Sequence, residues 1–278
     1  MAVFRNLLKH IYRKALNPIY RQFDEFVEFN AFDDEIKGLN KNILYILEYK
    51  KQSSAKRKKV IYTCITDMYD EICQHTYINF DYDYICFSDN NELLKLEEYG
   101  IWKIRPLEYT KFCNTKNSRW HKMHPHILFP DYDESIWIDA NINIVTDYLF
   151  DLIKPESKYK IKIPLHFDRN CIYQEIKSVL YYGKDSKEAT DKVLELLEYD
   201  NFPENYGLNE TCIIYREHND KEIIEIMNSW WEMIEHYSKR DQLSLSYILW
   251  KKGIVPKDIG IPNATIDNTN NNSPYAKT

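Results

Sequence analysis

Short apolar runs that end in polar side chains recur along this chain and alternate with helical sequence. The clearest run, residues 135–138 (SIWI), stops at Asp139-Ala140-Asn141, which places two oxygen-bearing side chains two residues apart. Apolar runs of this length, bounded by turn signals, are typical of buried strands. Strands that alternate with helices favour an α/β fold with a largely parallel central sheet.

The same reading locates the remaining elements and divides the chain into three segments. Strands are predicted at 60–65, 82–87, 102–104, 135–138, 161–165 and 211–215, and the fifth is expected at a sheet edge because it contains Pro164. Helices are predicted at 117–128, 185–199, 221–236 and 240–251. We expect an N-terminal helical segment (1–55), a main domain (58–262) and a disordered polar tail (263–278).

Charge, cysteine content and hydropathy indicate which partners and which cellular compartment this chain can have. The net charge of −6 gives no reason to expect nucleic-acid binding. The six cysteines form no Cys-x-x-Cys pair, which favours a reduced, cytoplasmic protein, and no apolar stretch is long enough to cross a bilayer. Residues 1–22 form a basic amphipathic pattern that predicts a helix. Such a helix can lie on the inner face of an anionic membrane or pack against protein, and both alternatives stay open.

Three predicted strands end in polar side chains that can form one site. Thr63, with Thr66 and Asp67, marks the end of the first strand, Asp89 follows the second, and Asp139 with Asn141 ends the fourth. In a largely parallel sheet these ends meet at one edge, where α/β proteins bind ligands. Carboxylate and amide oxygens are also the ligands of hard divalent cations. The alternative for Asp139 and Asn141 is a polar turn that caps the next element.

Two groups of basic side chains precede Asp139. Arg119 and Lys122 are three residues apart, so they share one face of a helix and can neutralise a metal-bound diphosphate, or form a solvated face. The spacing of His121, His124 and His126 invites a zinc site. No Glu or Cys lies at ligand spacing, and a proline interrupts the helix, so we expect structural histidines instead.

Later polar loops supply further candidates. His166 and Arg169 follow the strand predicted at 161–165, and His218 follows the strand predicted at 211–215. Binding residues concentrate in such loops, and a hydrogen-bonded loop is the equal alternative. Asp241 and Gln242 open the last long helix. Asp241 can stabilise the helix dipole, or face the crevice as a general base or sugar-hydroxyl acceptor.

Taken in order, these motifs resemble one known family. The stretches VIYTCIT, YDYICFSDN, SRWHKMHPHILFPDYDESIWIDANI, HFDRNCIYQE, GLNETCIIYREHND and WWEMIEHYSKRDQLSLSYILWK lie between residues 59 and 251. Together they resemble the glycosyltransferase-like family catalogued as domain of unknown function 616. Its plant members take part in mucilage and cell-wall polysaccharide synthesis, and its bacterial members occur in surface-polysaccharide loci.

The resemblance implies a GT-A fold, distantly similar to family 8 glycosyltransferases, and a role for each candidate residue. It implies a UDP-sugar donor, a Mn²⁺ or Mg²⁺ ion and a glycan or glycolipid acceptor. The nucleoside would contact Thr63, Asp67 and Asp89, and the diphosphate Arg119 and Lys122. The metal would take Asp139 and Asn141, and the late Asp-Gln motif of the family would be Asp241 and Gln242. We predict Asp139 and Asp241 as the catalytic residues. From their loop positions, His166 and Arg169 are predicted to contact the acceptor together with Gln242.

The chain departs from the family pattern at the metal motif. Asn141 stands where a second acid is expected, and the C-terminal histidine ligand of many GT-A enzymes is missing after His236, so the third ligand would be His218, another residue or water. Two functions of other classes stay open beside the transferase. One plant relative is linked to ceramide hydrolysis, which implies a lipid amide hydrolase, and the basic N-terminal helix permits a non-catalytic scaffold docked on a membrane.

Overall fold

The computed structural model describes residues 32–51, 58–67, 69–153, 158–261 and 275–277. The strands of this part are β1 (Lys59–Ile65), β2 (Tyr82–Ser88), β3 (Glu98–Tyr99), β4 (Trp102–Pro106), β5 (Glu134–Ile138), β6 (Ile142–Ile144), β7 (Ile161–Pro164), β8 (Ile213–Arg216), β9 (Gly260–Ile261) and β10 (Tyr275–Lys277). All six predicted strands are present, each shifted by at most a few residues. The chain therefore forms the predicted strands where its apolar runs lie.

The helices predicted at 185–199 and 221–236 are confirmed, and the other helices of the main domain differ from the prediction. The helices of the described chain are α1 (Phe32–Lys51), α2 (Asn91–Leu96), α3 (Asn114–Met123), α4 (Pro125–Leu128), α5 (Tyr148–Leu152), α6 (Ile172–Tyr181), α7 (Lys187–Tyr199), α8 (Lys221–His236) and α9 (Leu245–Lys251). The helix predicted at 117–128 breaks at His124, because Pro125 can begin a helix but cannot continue one. The helix predicted at 240–251 begins as a 3₁₀ turn, Asp241–Leu243. The sequence does not predict helices α2, α5 and α6, and the N-cap residue of α6, Cys171, is not one of the residue types that signal a helix start.

The main sheet is mixed and mostly parallel, in the order β3-β4-β2-β1-β5-β8-β7-β9. Strand β1 runs parallel to β2 and β5, and β2 runs parallel to β4. Strand β8 runs antiparallel to both of its neighbours, β5 and β7. The predicted α/β class with a largely parallel sheet is therefore confirmed. The strand predicted at the edge, β7, lies between β8 and β9 instead.

Apolar side chains cover both faces of this sheet. Tyr62 of β1 packs on one face with Trp230 of α8. Ile61, the next residue along the strand, packs on the other face with Ile136 and with Tyr49 of α1. Successive strand residues point to opposite faces, so a continuous apolar run is what a sheet covered on both sides requires. Complete burial of one such side chain stabilises the fold by about 1.5–3 kcal/mol.

The two ends of the described chain both contact the main domain. At the C-terminal end of α1, the Tyr49 hydroxyl donates to the carbonyl oxygen of Tyr82 at 3.0 Å. Strand β10 pairs antiparallel with β6 and buries Tyr275, so residues 275–277 depart from the predicted disorder. The basic pattern at 1–22 and most of the tail lie outside the described residues. In the part described, no helix is both long and apolar enough to span a membrane.

Candidate active site

A cleft of about 650 Å³ opens at the sheet edge where the parallel strands end. Thr66 and Asp67 line it from the end of β1, and Asp139 and Asn141 from the end of β5. Thr211 also lines the cleft, because the antiparallel strand β8 begins at the edge of the sheet where β1 and β5 end, and Thr211 lies just before this strand. The predicted convergence of strand ends on one crevice is therefore confirmed for β1 and β5.

A buried network of charges forms the floor of the cleft. Lys122 Nζ donates to Asp241 Oδ2 at 2.5 Å and lies 3.8 Å from Asp139 Oδ1. Thr211 Oγ1 donates to the same Asp241 oxygen at 2.9 Å, and Arg119 Nε lies 3.5 Å from Asp241 Oδ1. Arg119 and Lys122 share one face of α3, as their spacing predicts. Two cations thus hold one buried carboxylate beside the strand-end acid.

The network fixes the charge of Asp241. Burial acts to raise the pKa of this carboxyl, but Arg119, Lys122 and Arg240 outweigh burial and hold the pKa well below its usual range. Burial lowers the pKa of Lys122, and the nearby carboxylates of Asp241 and Asp139 oppose that effect. An acid held so firmly ionised is a weak proton acceptor. The structure therefore argues against the predicted general-base role of Asp241 and indicates a positioning role.

Lys122 is also placed differently from the prediction. Its side chain is 1% exposed, and its ammonium group lies 5.4 Å from the Trp137 ring. The buried ammonium group of Lys122 therefore contacts Asp139 and Asp241 from the protein interior and does not line the cleft. Arg119, whose side chain is 16% exposed, does line the cleft. Of the two predicted diphosphate contacts, the structure brings Arg119 to the surface of the site.

Asp139 is oriented by its own strand. Trp137 Nε1 donates to Asp139 Oδ1 at 2.8 Å, and the Asp139 backbone N–H donates to the carbonyl oxygen of Cys212 at 2.8 Å. About a third (34%) of its side chain stays exposed at the cleft. Asn141 lines the same cleft two residues later. The predicted pair therefore occupies one site, with a fixed carboxylate.

Residues at the end of β1 form the second side of the cleft, and the predicted Asp89, at the end of β2, contacts Asp67 without lining the cleft itself. The Asp67 backbone N–H donates to both oxygens of Asp89, at 3.0 and 3.3 Å, from a left-handed turn with φ of 58°. Thr63, predicted here, is fully buried within β1, and its hydroxyl has no hydrogen-bond partner in the part of the chain described. The prediction that Thr63 lines the site is wrong, because Thr63 lies inside β1 and its side chain is buried in the sheet. Thr66, predicted at the same strand end, does line the cleft, and the exposed Tyr69 lines it as well.

His218 lies at the opposite edge of the sheet. Strand β8 begins beside the cleft and ends at Arg216, so the residues that follow it leave on the far side. The buried His218 ring donates from Nε2 to the carbonyl oxygen of Phe129 at 2.9 Å. Burial lowers the pKa of His218 to about 4. The prediction of His218 as third metal ligand is wrong, because it assumed a parallel strand.

Among the predicted acceptor residues, only Gln242 lines the cleft. Its side-chain oxygen accepts from the Arg240 guanidinium at 3.2 Å. Arg169 donates through Nε to Glu175 at 2.7 Å and lies 3.0 Å from His166 Nε2. Burial, followed by the charge of Arg169, lowers the pKa of His166. His166 and Arg169 lie at the same sheet edge, after β7, but bond to one another and to the start of α6.

His121 of α3 and His124, between α3 and α4, are bonded to protein groups, whereas Nδ1 of His126 in α4 has no hydrogen-bond partner among the described residues. His121 donates from Nδ1 to the carbonyl oxygen of Asn117 at 2.8 Å, and its Nε2 accepts the Glu108 backbone N–H at 2.9 Å. His124 donates from Nδ1 to the carbonyl oxygen of Trp120 at 2.8 Å. Burial lowers the pKa of both rings to about 4. These rings are neutral and structural, which agrees with the expectation from sequence.

The donor set at Asp139 and Asn141 fits one kind of divalent site. Among the described residues, no group of three or more His, Cys, Asp or Glu side chains could hold a metal. Mg²⁺ in proteins keeps several waters and commonly takes one or two carboxylates together with substrate phosphates. One carboxylate and one carboxamide at the cleft therefore fit a cation shared with a bound diphosphate. They do not form a closed protein cage.

Several cleft residues were missed by the sequence reasoning. The sequence predicts Thr211 within a strand. If that strand ran parallel to β5, Thr211 would lie at the edge of the sheet opposite the cleft. Arg240, Tyr182 and Lys184 line the cleft from loops. The signal for the loop containing Tyr182 and Lys184 is Gly183, because a glycine directly after an apolar periodic stretch marks a helix end. That signal would have revealed α6.

Comparison with known proteins supports the expected resemblance to a glycosyltransferase-like family. The family described as TOD1/MUCI70, glycosyltransferase-like domain, matches residues 32–259. The probable hexosyltransferase MUCI70 of Arabidopsis thaliana is 21% identical over 217 residues, which cover 68% of this chain and 36% of that protein. The chain thus spans about a third of the length of that relative.

Similar solved structures include two glycosyltransferases. The bifunctional glycosyltransferase WbbM has a TM-score of 0.40 at 13% identity, over 71% of this chain and 37% of that one. The galactosyltransferase LgtC has a TM-score of 0.39 at 10% identity, over 69% of each chain. The family match extends over well more than half of the sequence. The chain belongs to the TOD1/MUCI70 glycosyltransferase-like domain family.

Proposed function

We propose that this chain is a GT-A-type glycosyltransferase that moves a sugar from a UDP-linked donor to a glycan acceptor in surface-polysaccharide synthesis. The observation that carries the proposal is the convergence of Arg119, Asp139 and Asn141 at the carboxyl edge of β1 and β5. A guanidinium beside hard oxygen ligands suits a diphosphate with a bound cation. Membership of a glycosyltransferase-like family supports the transferase activity.

The donor would lie across the two halves of the cleft. Asp67 and Asp89, linked at the ends of β1 and β2, would face the nucleoside, whose hydroxyls are hydrogen-bond donors. Arg119 would bind the diphosphate, and its guanidinium is oriented by Asp241 at 3.5 Å. A Mn²⁺ or Mg²⁺ ion held by Asp139 and Asn141 would supply Lewis-acid stabilisation of the departing UDP.

Lys122 and Asp241 act in this proposal by positioning. The buried ammonium group bridges Asp241 and Asp139, so it fixes the strand-end carboxylate relative to α3. Asp241 in turn holds Arg119, which keeps the cation in place before substrate arrives. Preorganised charges of this kind stabilise developing charge without reorganisation at the moment of reaction. Gln242, directly after Asp241, would bind a sugar hydroxyl.

The compartment and the partners follow from the same proposal. All six cysteines are free, which supports a reducing, cytoplasmic location near the inner face of the membrane where surface glycans are built. The partners would be the nucleotide sugar and a glycan or glycolipid acceptor. Contact with the membrane through residues 1–22 stays a proposal that rests on the basic amphipathic pattern alone.

Donor screening tests the proposed function. The full chain is incubated with Mn²⁺ and a panel of UDP-, GDP- and CMP-sugars, and the free nucleotide is measured. We expect release of UDP by wild type and by Lys187→Ala, a variant at a residue exposed on α7, and loss of release in Asp139→Ala. Wild type that releases no nucleotide from any donor would refute the assignment. Release of fatty acid from ceramide would support the amide hydrolase instead.

A further inference from the structure

Two exposed tyrosines lie at the C-terminal end of α6, next to the cleft. Tyr181 is 82% exposed and Tyr182 is 65% exposed. Their ring centroids are 4.9 Å apart and the ring planes are nearly perpendicular, at 86°. Large aromatic side chains gain by burial, so two adjacent exposed rings beside a cleft indicate a surface that meets a ligand. We name Tyr181 and Tyr182 the tyrosine pair.

The tyrosine pair stands on a fixed loop. Gly183, with φ of +61°, ends α6, and the Lys184 N–H donates back to the carbonyl oxygen of Val179 at 2.9 Å, as in a Schellman cap. Asp185 Oδ2 then accepts from Ser238 Oγ at 2.6 Å and from the Lys239 N–H at 3.1 Å. The loop is thereby tied to the segment that leads into Asp241 and Gln242. The backbone that carries the two rings therefore keeps a defined position relative to the cleft.

The sheet order places this loop on the side of the cleft away from β1 and β2. Tyr182 lines the cleft together with Gln242, and the loop follows β7, which lies beyond β5 and β8. If the nucleoside occupies the side of β1 and β2, as the proposed function holds, the sugar to be transferred faces β8 and β7. The region beside Tyr182 is then where the acceptor must approach.

We propose that the tyrosine pair is a stacking platform for a sugar ring of the acceptor glycan. One face of a pyranose carries several C–H groups, and an aromatic face, with its negative charge distribution, attracts such groups. The two phenol groups can exchange hydrogen bonds with sugar hydroxyls. Lys184 Nζ, 5.6 Å from the Tyr182 ring centroid, lines the same cleft, so the platform is continuous with the site and amphipathic. These features favour a glycan over a lipid surface.

Saturation-transfer NMR with disaccharides tests the platform in the full chain. Cellobiose, lactose and xylobiose serve as probes, in the presence of UDP and Mn²⁺. We expect saturation of sugar C–H protons by wild type and Tyr182→Phe, and about 3- to 10-fold weaker binding in Tyr182→Ala, the change expected when one aromatic contact is lost. Tyr199→Ala is the matched control, because Tyr199 is 84% exposed and lies at the far end of α7.

Two results of the NMR experiment would overturn the proposed platform, and two parallel binding measurements identify the reason. Equal saturation by Tyr182→Ala and wild type, or none by wild type with any disaccharide, would exclude a sugar platform. UDP binding measured on the same samples separates this failure from failure of the proposed function, since the platform alone is wrong if UDP still binds. Tyr182→Ala that loses co-sedimentation with phosphatidylcholine–phosphatidylglycerol vesicles but keeps disaccharide binding would show a lipid contact instead.

Discussion

Removal of Lys122 or Asp241 should reveal how strongly the buried network holds the site together. Their charged atoms lie 2.5 Å apart, and both side chains are almost completely buried, at 1% and 2% exposure. Loss of one partner of a buried ion pair costs about 3–5 kcal/mol of unfolding free energy, because the other charge stays buried without compensation. The two single substitutions should therefore destabilise the protein strongly, and the double substitution less than their sum.

The remaining partners set the expected magnitude for each variant. In Lys122→Met, Asp241 keeps Arg119 at 3.5 Å and Thr211 at 2.9 Å, so we expect a loss near the lower limit, about 3 kcal/mol. In Asp241→Asn, the remaining carboxylate near Lys122 is Asp139 at 3.8 Å, so we expect about 4 kcal/mol. The coupling energy from the double-mutant cycle should be about 2 kcal/mol.

Urea unfolding, followed by tryptophan fluorescence, measures all four proteins of the cycle. The exposed pair Lys192–Glu188, at 3.0 Å on one face of α7, is the control, and its coupling should be below about 0.5 kcal/mol. Single effects of Lys122→Met and Asp241→Asn that add within about 0.5 kcal/mol would refute the reasoning. Such additivity would mean that the two charges stabilise the fold independently.

Three further predictions concern acid stability, the reaction and the tail. Burial lowers the folded-state pKa of His121, His124 and His218 to about 4. Below about pH 6.5 the unfolded chain therefore binds more protons than the folded one, and the unfolding free energy should fall as the pH is lowered from 6.5 to 4, by about 3 kcal/mol for each ring. Urea unfolding at a series of pH values measures this fall. Stability that stays constant over that range would contradict it. Gln242→Ala should lower kcat by about 10²-fold with little change in UDP affinity, measured by steady-state kinetics and calorimetry, and an unchanged kcat would exclude a role in the transition state. Tyr275→Ala should cost about 3–5 kcal/mol of unfolding free energy, because the ring is fully buried, and a loss below about 1 kcal/mol would show that β10 does not stabilise the domain.

Local patterns were enough to predict most strands and the position of Asp139. A strand buried on both faces must be apolar throughout, and the chain must turn polar where the strand leaves the core. That rule located β1, β2 and β5 and the acids that follow them. It could not show which of two nearby threonines, Thr63 or Thr66, faces the cleft, because Thr63 is buried by the elements that cover the sheet.

Properties that depend on the path of the chain could not be predicted from local sequence. The run 211–215 indicates a strand but carries no information about its direction, and the antiparallel direction of β8 exchanges the places of Thr211 and His218. The burial of Lys122 depends on which face of α3 packs against the sheet. A basic pair three residues apart is equally compatible with a solvated face. Both errors therefore concern tertiary context.

The central claim is that Asp139 anchors a nucleoside diphosphate and its cation at the end of β5. Calorimetric titration of UDP with Mn²⁺ into the full chain tests it most directly, with Asp139→Ala as the variant and Asp191→Ala, at a half-exposed aspartate on α7, as the control. We predict binding by wild type and Asp191→Ala, and at least about 10-fold weaker binding by Asp139→Ala, since even loss of a group that only orients a metal ligand costs about 10- to 100-fold. Undiminished binding by Asp139→Ala, or no binding by wild type, would contradict the account.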